Sequence, residues 1–166
     1  VHTYERFERI AGEYGAALAR LAAAYARDKA DRDDLLQEIL MAIWRALPSF
    51  RGDASERTFV FRIAHNRGLT FASRRRPAQP LVLETLVDPR PDPASTLAFS
   101  DRHERLMAAV RRLAEPQRQC VMLNLEGLSN RQIAEVQGAT ENNVAVRLTR
   151  ARKALRELLG ESGDEL

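Results

Sequence analysis

The sequence is poor in the residues on which most enzymes, metal proteins and secreted domains rely. Its 166 residues include a single cysteine, Cys120, which excludes a disulfide framework or a Cys-based zinc site within one chain. Flanked by Val121 and Leu123, that thiol is expected in a core, where free cysteine is usually found. The three histidines, His2, His65 and His103, stand far apart and form no ligand pattern, so no metal and no cofactor is expected. His65, with no partner suggested nearby, reads as a helix-surface residue. There is no Gly-rich phosphate loop and no nucleophile–base pairing, which makes an enzyme the weakest class. Aromatic residues supply 6 % of the chain against 45 % apolar overall, so any core must be mostly aliphatic. No apolar run approaches the roughly 20 residues of a membrane helix, and no secretory signal pattern is seen. The expectation is a cytoplasmic protein without membrane insertion.

Lysine is nearly missing as well. Of 26 basic side chains only Lys29 and Lys153 are Lys, the rest being Arg, and 23 acidic groups leave a net charge of +3. The distribution is more informative than the total. Residues 1–76 carry 14 basic and 10 acidic groups, residues 77–106 carry 3 and 5, and residues 107–166 carry 9 and 8. Within these, Arg62–Arg76 has five Arg and no acid, and Glu141–Arg156 has five basic groups and one acid. Two cationic stretches flanking an acidic middle suit a polyanion, although either could be a solvated helix face.

Five of the seven prolines fall between Pro77 and Pro93. Residues 77–99 therefore read as an extended linker between a domain at 1–76 and a second at 100–166. Both domains read as helical, and the fold class expected is all-α. In the first, Phe7, Ile10, Tyr14, Leu18, Leu21 and Tyr25 recur at steps of three and four. Asp31 is a candidate cap for a second helix striped by Leu35, Leu36, Ile39, Leu40, Ile43, Trp44 and Leu47, with Trp44 expected in the core. Pro48 ends it. A loop follows to Ala54, and Ser55 can cap a third helix that carries Phe59, Val60, Ile63 and Ala64 into Arg74–Arg76. In the second domain, Ser100 can start a helix with Leu106, Met107, Val110 and Leu113. Pro116 suits the first turn of the next, with Cys120, Val121 and Leu125 as core.

The strongest local signal is Ser129–Leu155. Ser129 with Gln132 forms a potential capping box, Gly138 supplies a turn, and Thr140 can cap a last helix buried through Val144, Leu148, Ala151, Leu155 and Leu158. This is a helix-turn-helix pattern. The 3.6-residue period then turns Asn142, Ala145, Val146, Thr149 and Arg150 outward, towards a major groove. Asn suits an adenine edge, Ala, Val and the Thr methyl suit thymine methyls, and Arg suits guanine or phosphate. Arg147, Arg152, Lys153 and Arg156 suit phosphate or inter-helix pairing.

Helix-turn-helix units are common; the first domain is more distinctive. Asp34, Leu35, Gln37, Glu38 and Trp44, the Pro48–Ala54 loop, Phe59, Ile63, Ala64 and Asn66, and the basic end Arg74–Arg76 together resemble the promoter-melting domain of extracytoplasmic-function (ECF) sigma factors. Arg147, Arg150, Ala151, Arg152 and Leu155 resemble the end of the same family's helix-turn-helix domain. The resemblance implies a factor that binds core RNA polymerase at its clamp and flap, recognises −35 and −10 promoter elements and helps to melt DNA. It assigns Asp34, Leu35, Gln37 and Glu38 to polymerase contact, with Leu36 helping. It assigns Phe50, Arg51, Gly52 and Asp53 to a pocket for a flipped-out −10 base. Asn66 becomes the base reader, and Arg62, Arg67, Arg74, Arg75 and Arg76 hold the DNA backbone. At −35 it assigns Asn142, Ala145, Val146, Arg147, Thr149, Arg150 and Lys153. An anti-sigma partner is also implied. The chain departs from the family pattern at Phe59, Thr70, Ala145 and Val146, which bears on promoter sequence more than on role. Two rival readings are a stand-alone helix-turn-helix regulator of duplex operator DNA and a helical adaptor whose basic faces are incidental.

Overall fold

A computed structural model describes residues 2–74 and 96–160. Arg75, Arg76, most of the expected linker and the acidic tail from Glu161 lie outside the described residues. Among the described residues there are seven α-helices, one short 3-10 turn and no strand. The chain divides into two compact units, one carried chiefly by α1–α3 and the other chiefly by α4–α7.

In the first unit α1 spans His2–Tyr25, α2 Lys29–Ala46 and α3 Glu56–Arg74, with the 3-10 turn Leu47–Ser49 after α2. Each helix packs on the other two. The apolar stripes meet: Ile10, Leu18 and Leu21 of α1, Leu35, Ile39 and Ile43 of α2, and Val60 and Ala64 of α3 are buried as expected, joined by Phe61, whereas Phe59 and Ile63 are half-buried. Apart from Ala64, each such buried side chain contributes roughly 1.5–3 kcal/mol by leaving water. Pro48 sits inside the 3-10 turn and stops α2 from continuing.

Two polar contacts tie α1 to α3. At one end, three guanidinium nitrogens converge on a single oxygen, Oε2 of Glu56: Nε and Nη2 of Arg6 at 3.0 Å each and Nη2 of Arg9 at 2.8 Å. These bonds, Arg9's first, hold the Glu56 carboxyl below its ordinary pKa against the opposing effect of burial. At the other end, Tyr25 lies across α3. A Cβ added at Gly68 would stand 2.7 Å from Cδ2 and Cε2 of the Tyr25 ring. The Tyr25 hydroxyl is 3.1 Å from Nδ1 of His65.

Several sequence expectations need correction here. The cap of α2 is Asp28, not Asp31: Asp28 has an extended backbone, and its Oδ1 accepts from the Asp31 N–H at 2.8 Å. Asp31 lies buried inside the first turn, and its Oδ2 accepts from the Arg27 N–H at 3.4 Å, a reciprocal arrangement close to a capping box. His65 is not a surface residue; it is 3 % exposed, because α3 turns it beneath Tyr25. Trp44 is not in the core; it is 41 % exposed and stacks edge-on against Phe7 and Tyr4 at the rim, with centroids 5.3 and 6.3 Å away.

In the second unit α4 spans Thr96–Arg111, α5 Glu115–Leu125, α6 Asn130–Gln137 and α7 Glu141–Leu159. The helix expected from Ser100 thus starts at Thr96. Val110, Cys120, Leu123, Leu128, Ile133, Val144, Leu148 and Ala151 form the core, and Cys120 is fully buried as its neighbours suggested. Leu125, expected in this core, is 53 % exposed, since it occupies the last position of α5 where the helix leaves the packed layer. Leu155 and Leu158 are only half-buried because α7 runs on past the core.

Two predictions come from the α1–α3 ties. Gly68→Ala sets roughly 1 kcal/mol of gained helix propensity against about 1–3 kcal/mol of overpacking. Tyr25 is tethered at His65 and cannot swing clear without losing that contact, so chemical denaturation is expected to show a net loss; an unchanged or raised midpoint would contradict the tie. Glu56→Gln is expected to lower the melting temperature at neutral pH by a few degrees. The folded-state pKa of Glu56 is lowered, so its contribution is complete above the ordinary carboxylate pKa and disappears as pH falls through the folded value. The gap between wild type and variant should therefore close in acid, and a pH-independent gap would show that the carboxylate charge is not what matters.

Candidate nucleic-acid and partner interfaces

The helix-turn-helix is built by three local devices. Ser129 Oγ accepts from the Gln132 N–H at 3.2 Å while Gln132 Oε1 accepts from the Ser129 N–H at 2.9 Å, which starts α6. Gly138 has φ +66°, a left-handed conformation that a β-carbon penalises, and the Ala139 N–H closes back on the Ala134 carbonyl at 3.0 Å. Thr140 Oγ1 then accepts from the Asn143 N–H at 3.1 Å and opens α7. With Val144, Leu148 and Ala151 buried, Asn142, Val146, Thr149 and Arg150 are exposed, and Ala145 and Arg147 are half-buried. The Thr149 hydroxyl donates to the Ala145 carbonyl at 2.9 Å, which leaves its methyl as the group free to meet a base. Arg152, Lys153 and Arg156 are exposed farther along α7.

In the first unit the loop between the 3-10 turn and α3 is held at both ends. Its near end is Phe50, whose N–H donates to the Leu47 carbonyl at 3.1 Å. The Phe50 ring lies 4.5 Å from that of Phe59 on α3, with the Arg6 guanidinium 4.6 Å above it. Its far end is Ser55, whose Oγ accepts from the Thr58 N–H at 3.1 Å and donates to Thr58 Oγ1 at 2.9 Å, capping α3. Between them Arg51, Gly52 and Asp53 are exposed, and Gly52 turns the chain with φ +86°. Phe50 is half-buried, so the three tip residues carry the exposed surface of this loop. On α3, Arg62, Asn66 and Arg67 are exposed at helical spacing.

The third surface is on α2. Asp34 and Gln37 are exposed, Glu38 is half-buried, and together with Met41, Phe71 and Arg74 they line a shallow groove between α2 and α3. Leu35, assigned by sequence to partner contact, is fully buried: the stripe that packs α2 against α1 and α3 takes it inward, out of reach of a partner. Leu36 is half-buried. Arg74, which the resemblance assigns to the DNA backbone, donates from Nη2 to Glu38 Oε2 at 3.2 Å and lines this groove. Met41, 52 % exposed, was missed; its i+4 spacing from Gln37 puts it on the same face and was the available signal. Arg6 and Glu56 were also missed, and a pairing across 50 residues leaves no local trace in a sequence.

Comparison with known proteins meets these surfaces. The Sigma-70 region 2 family matches residues 10–77, and the Sigma-70 region 4 family matches residues 103–155. The ECF RNA polymerase sigma factor SigM of Mycobacterium tuberculosis is 32 % identical over 93 % of this chain and 77 % of its own length. The RNA polymerase sigma factor CnrH of Cupriavidus metallidurans is 28 % identical over 96 % of this chain and 89 % of its own. A solved structure of CnrH with the cytosolic domain of CnrY superposes with a TM-score of 0.72 at 25 % identity, covering 96 % of this chain and 91 % of that one. The fold also matches that of RpoE from Bartonella quintana, solved with the anti-sigma factor NepR, at a TM-score of 0.77 and 21 % identity over 94 % of this chain and 98 % of that one. With region 2 at 10–77, region 4 at 103–155 and whole-chain relatives of one kind, the chain belongs to the ECF RNA polymerase sigma factors, which are transcription initiation factors rather than enzymes or free-standing operator binders.

Proposed function

We propose that this sigma factor divides its work among the three surfaces described. The α2 groove, with Asp34, Gln37, Glu38 and Met41, meets the clamp of core RNA polymerase, and the second unit meets the flap. Arg51, Gly52 and Asp53 with Asn66 capture a flipped −10 base, while Arg62 and Arg67 neutralise the neighbouring phosphates. Asn142, Ala145, Val146, Thr149 and Arg150 read the −35 element in the major groove. Arg147 and Lys153 add phosphate contacts without sequence preference. The observation that carries this reading is that one chain has both an exposed acid–amide face on α2 and a helix-turn-helix whose last helix exposes Asn142, Val146, Thr149 and Arg150. A stand-alone operator binder needs only the second.

Basic and apolar surfaces left open in this way call for a silencing partner. The solved relatives, held with CnrY and NepR, support an anti-sigma factor here too. The site of action is the cytoplasm, where polymerase and promoter are; among the described residues no helix is long and apolar enough to cross a membrane.

Closed- and open-complex assays test the division. With core polymerase and a duplex promoter recovered by run-off transcription of genomic fragments, Arg150→Ala is expected to weaken initial binding by about tenfold, the scale of one good base contact. Unchanged promoter use would remove Arg150 from the −35 surface. Asn66→Ala is expected to leave initial binding intact and to lower the yield of open complex, measured by permanganate reactivity of unpaired thymines. Equal open-complex yield from duplex template would contradict the base-reading role.

A further inference from the structure

We propose that Arg6 of α1 is a positioning residue for the −10 loop, although it lies upstream of the region 2 match that begins at residue 10. The inference rests on the reading of that loop as the base-capturing element. Arg6 joins two things that fix the loop. Its Nε and Nη2 both bond Glu56 Oε2 at 3.0 Å, one residue past the Ser55 cap where the loop ends. The Cζ of the same guanidinium lies over the Phe50 ring, 4.6 Å from its centroid, where the loop begins. A planar, delocalised cation can do both at once, which an ammonium cannot.

Phe50 is thereby held by two contacts, Arg6 over its ring at 4.6 Å and the tilted Phe59 ring at 4.5 Å. Between Phe50 and the cap only Arg51, Gly52, Asp53 and Ala54 are left to set the tip. Gly52 is the soft point, with φ +86° and open space around its Cα. A loop with one glycine hinge holds a single presentation only if its ends are fixed, and a preformed pocket avoids paying ordering entropy when the base arrives. Arg9 offers an internal contrast. It bonds Glu56 Oε2 at 2.8 Å and Glu13 Oε2 at 3.3 Å, but Phe50 is covered by Arg6. Removing Arg9 weakens the α1–α3 tie without uncovering the loop.

The test uses the full chain with core polymerase on forked DNA whose single-stranded −10 segment carries the preferred or a substituted base at the captured position. Four proteins are compared: wild type, Arg6→Lys, Arg9→Ala and Arg51→Ala, each with its melting temperature and its affinity for core polymerase measured alongside. Arg6→Lys keeps the charge near Glu56 and loses the planar guanidinium, so it is expected to reduce discrimination between the two DNAs by about fivefold while polymerase affinity stays within about twofold. Arg9→Ala is expected to lose thermal stability and keep discrimination. Full discrimination by Arg6→Lys, with Arg51→Ala impaired, overturns the positioning role and leaves the loop reading standing. Loss of discrimination in Arg9→Ala equal to that in Arg6→Lys also overturns it, because general loosening would then account for both. If Arg51→Ala discriminates as well as wild type, the loop does not read the base and the proposal falls with that reading.

Discussion

Burial of Leu35, Ile39 and Ile43 against α1 and α3 fixes the rotation of α2 about its own axis, and that rotation decides which of its polar residues meet solvent. In a helix the inward positions dictate the outward ones. Once the aliphatic stripe is satisfied, Asp34, Gln37, Glu38 and Met41 have to line the outer face. The same logic orders α7, where Val144, Leu148 and Ala151 go inward and leave Asn142, Val146, Thr149 and Arg150 outside. With so few aromatic residues, the large apolar rings buried in the first core are Phe61 and Phe71, and the buried core residues described in the second unit are aliphatic or sulfur-bearing. The burden falls on close fitting of Leu, Ile, Val and Ala, and on a few polar ties such as Glu56 with Arg6 and Arg9.

Those ties explain how a loop carrying function can be both exposed and shaped. The −10 loop has little core of its own. It is held from outside by Phe50 against Phe59, by Arg6 above Phe50 and by the Ser55 cap. The helices provide the scaffold, and the segment proposed to touch DNA is confined to a short tip between two held points.

Much of this was legible from residue order alone. Helix stripes, the Ser129–Gln132 box, the Gly138 turn, the Thr140 cap and the outward face of α7 all follow from local rules acting over three or four residues, and the coordinates repeat them. Most of the misreadings share a cause. Asp28 lies seven residues before Leu35, where the stripe begins, so the nearer Asp31 drew the assignment. His65 looked solitary because its partner, Tyr25, is 40 residues away. Trp44 fits the α2 period, yet it falls at the edge of the stripe, where Tyr4 and Phe7 cover it only in part. Leu35 was grouped with its acidic neighbours by motif, while its position in the stripe required it inside. Arg74 was read as part of a basic run, and its bond to Glu38, which depends on how α2 and α3 lie together, left no local trace. Except at the α2 cap, contacts distant in sequence supplied what local signals could not.

The claim that most depends on this geometry is that the stripe of α2 turns a polymerase-binding face outward. Equilibrium titration of the fluorescently labelled full chain with core RNA polymerase tests it most directly, with Asp34→Arg as the comparison. Asp34 is exposed and outside the core, so the substitution should leave the fold intact. The account predicts saturable binding by the wild type and a large loss of affinity on charge reversal, with the melting temperature unchanged. Binding that survives Asp34→Arg undiminished, or a wild-type chain that does not bind core polymerase, would contradict it.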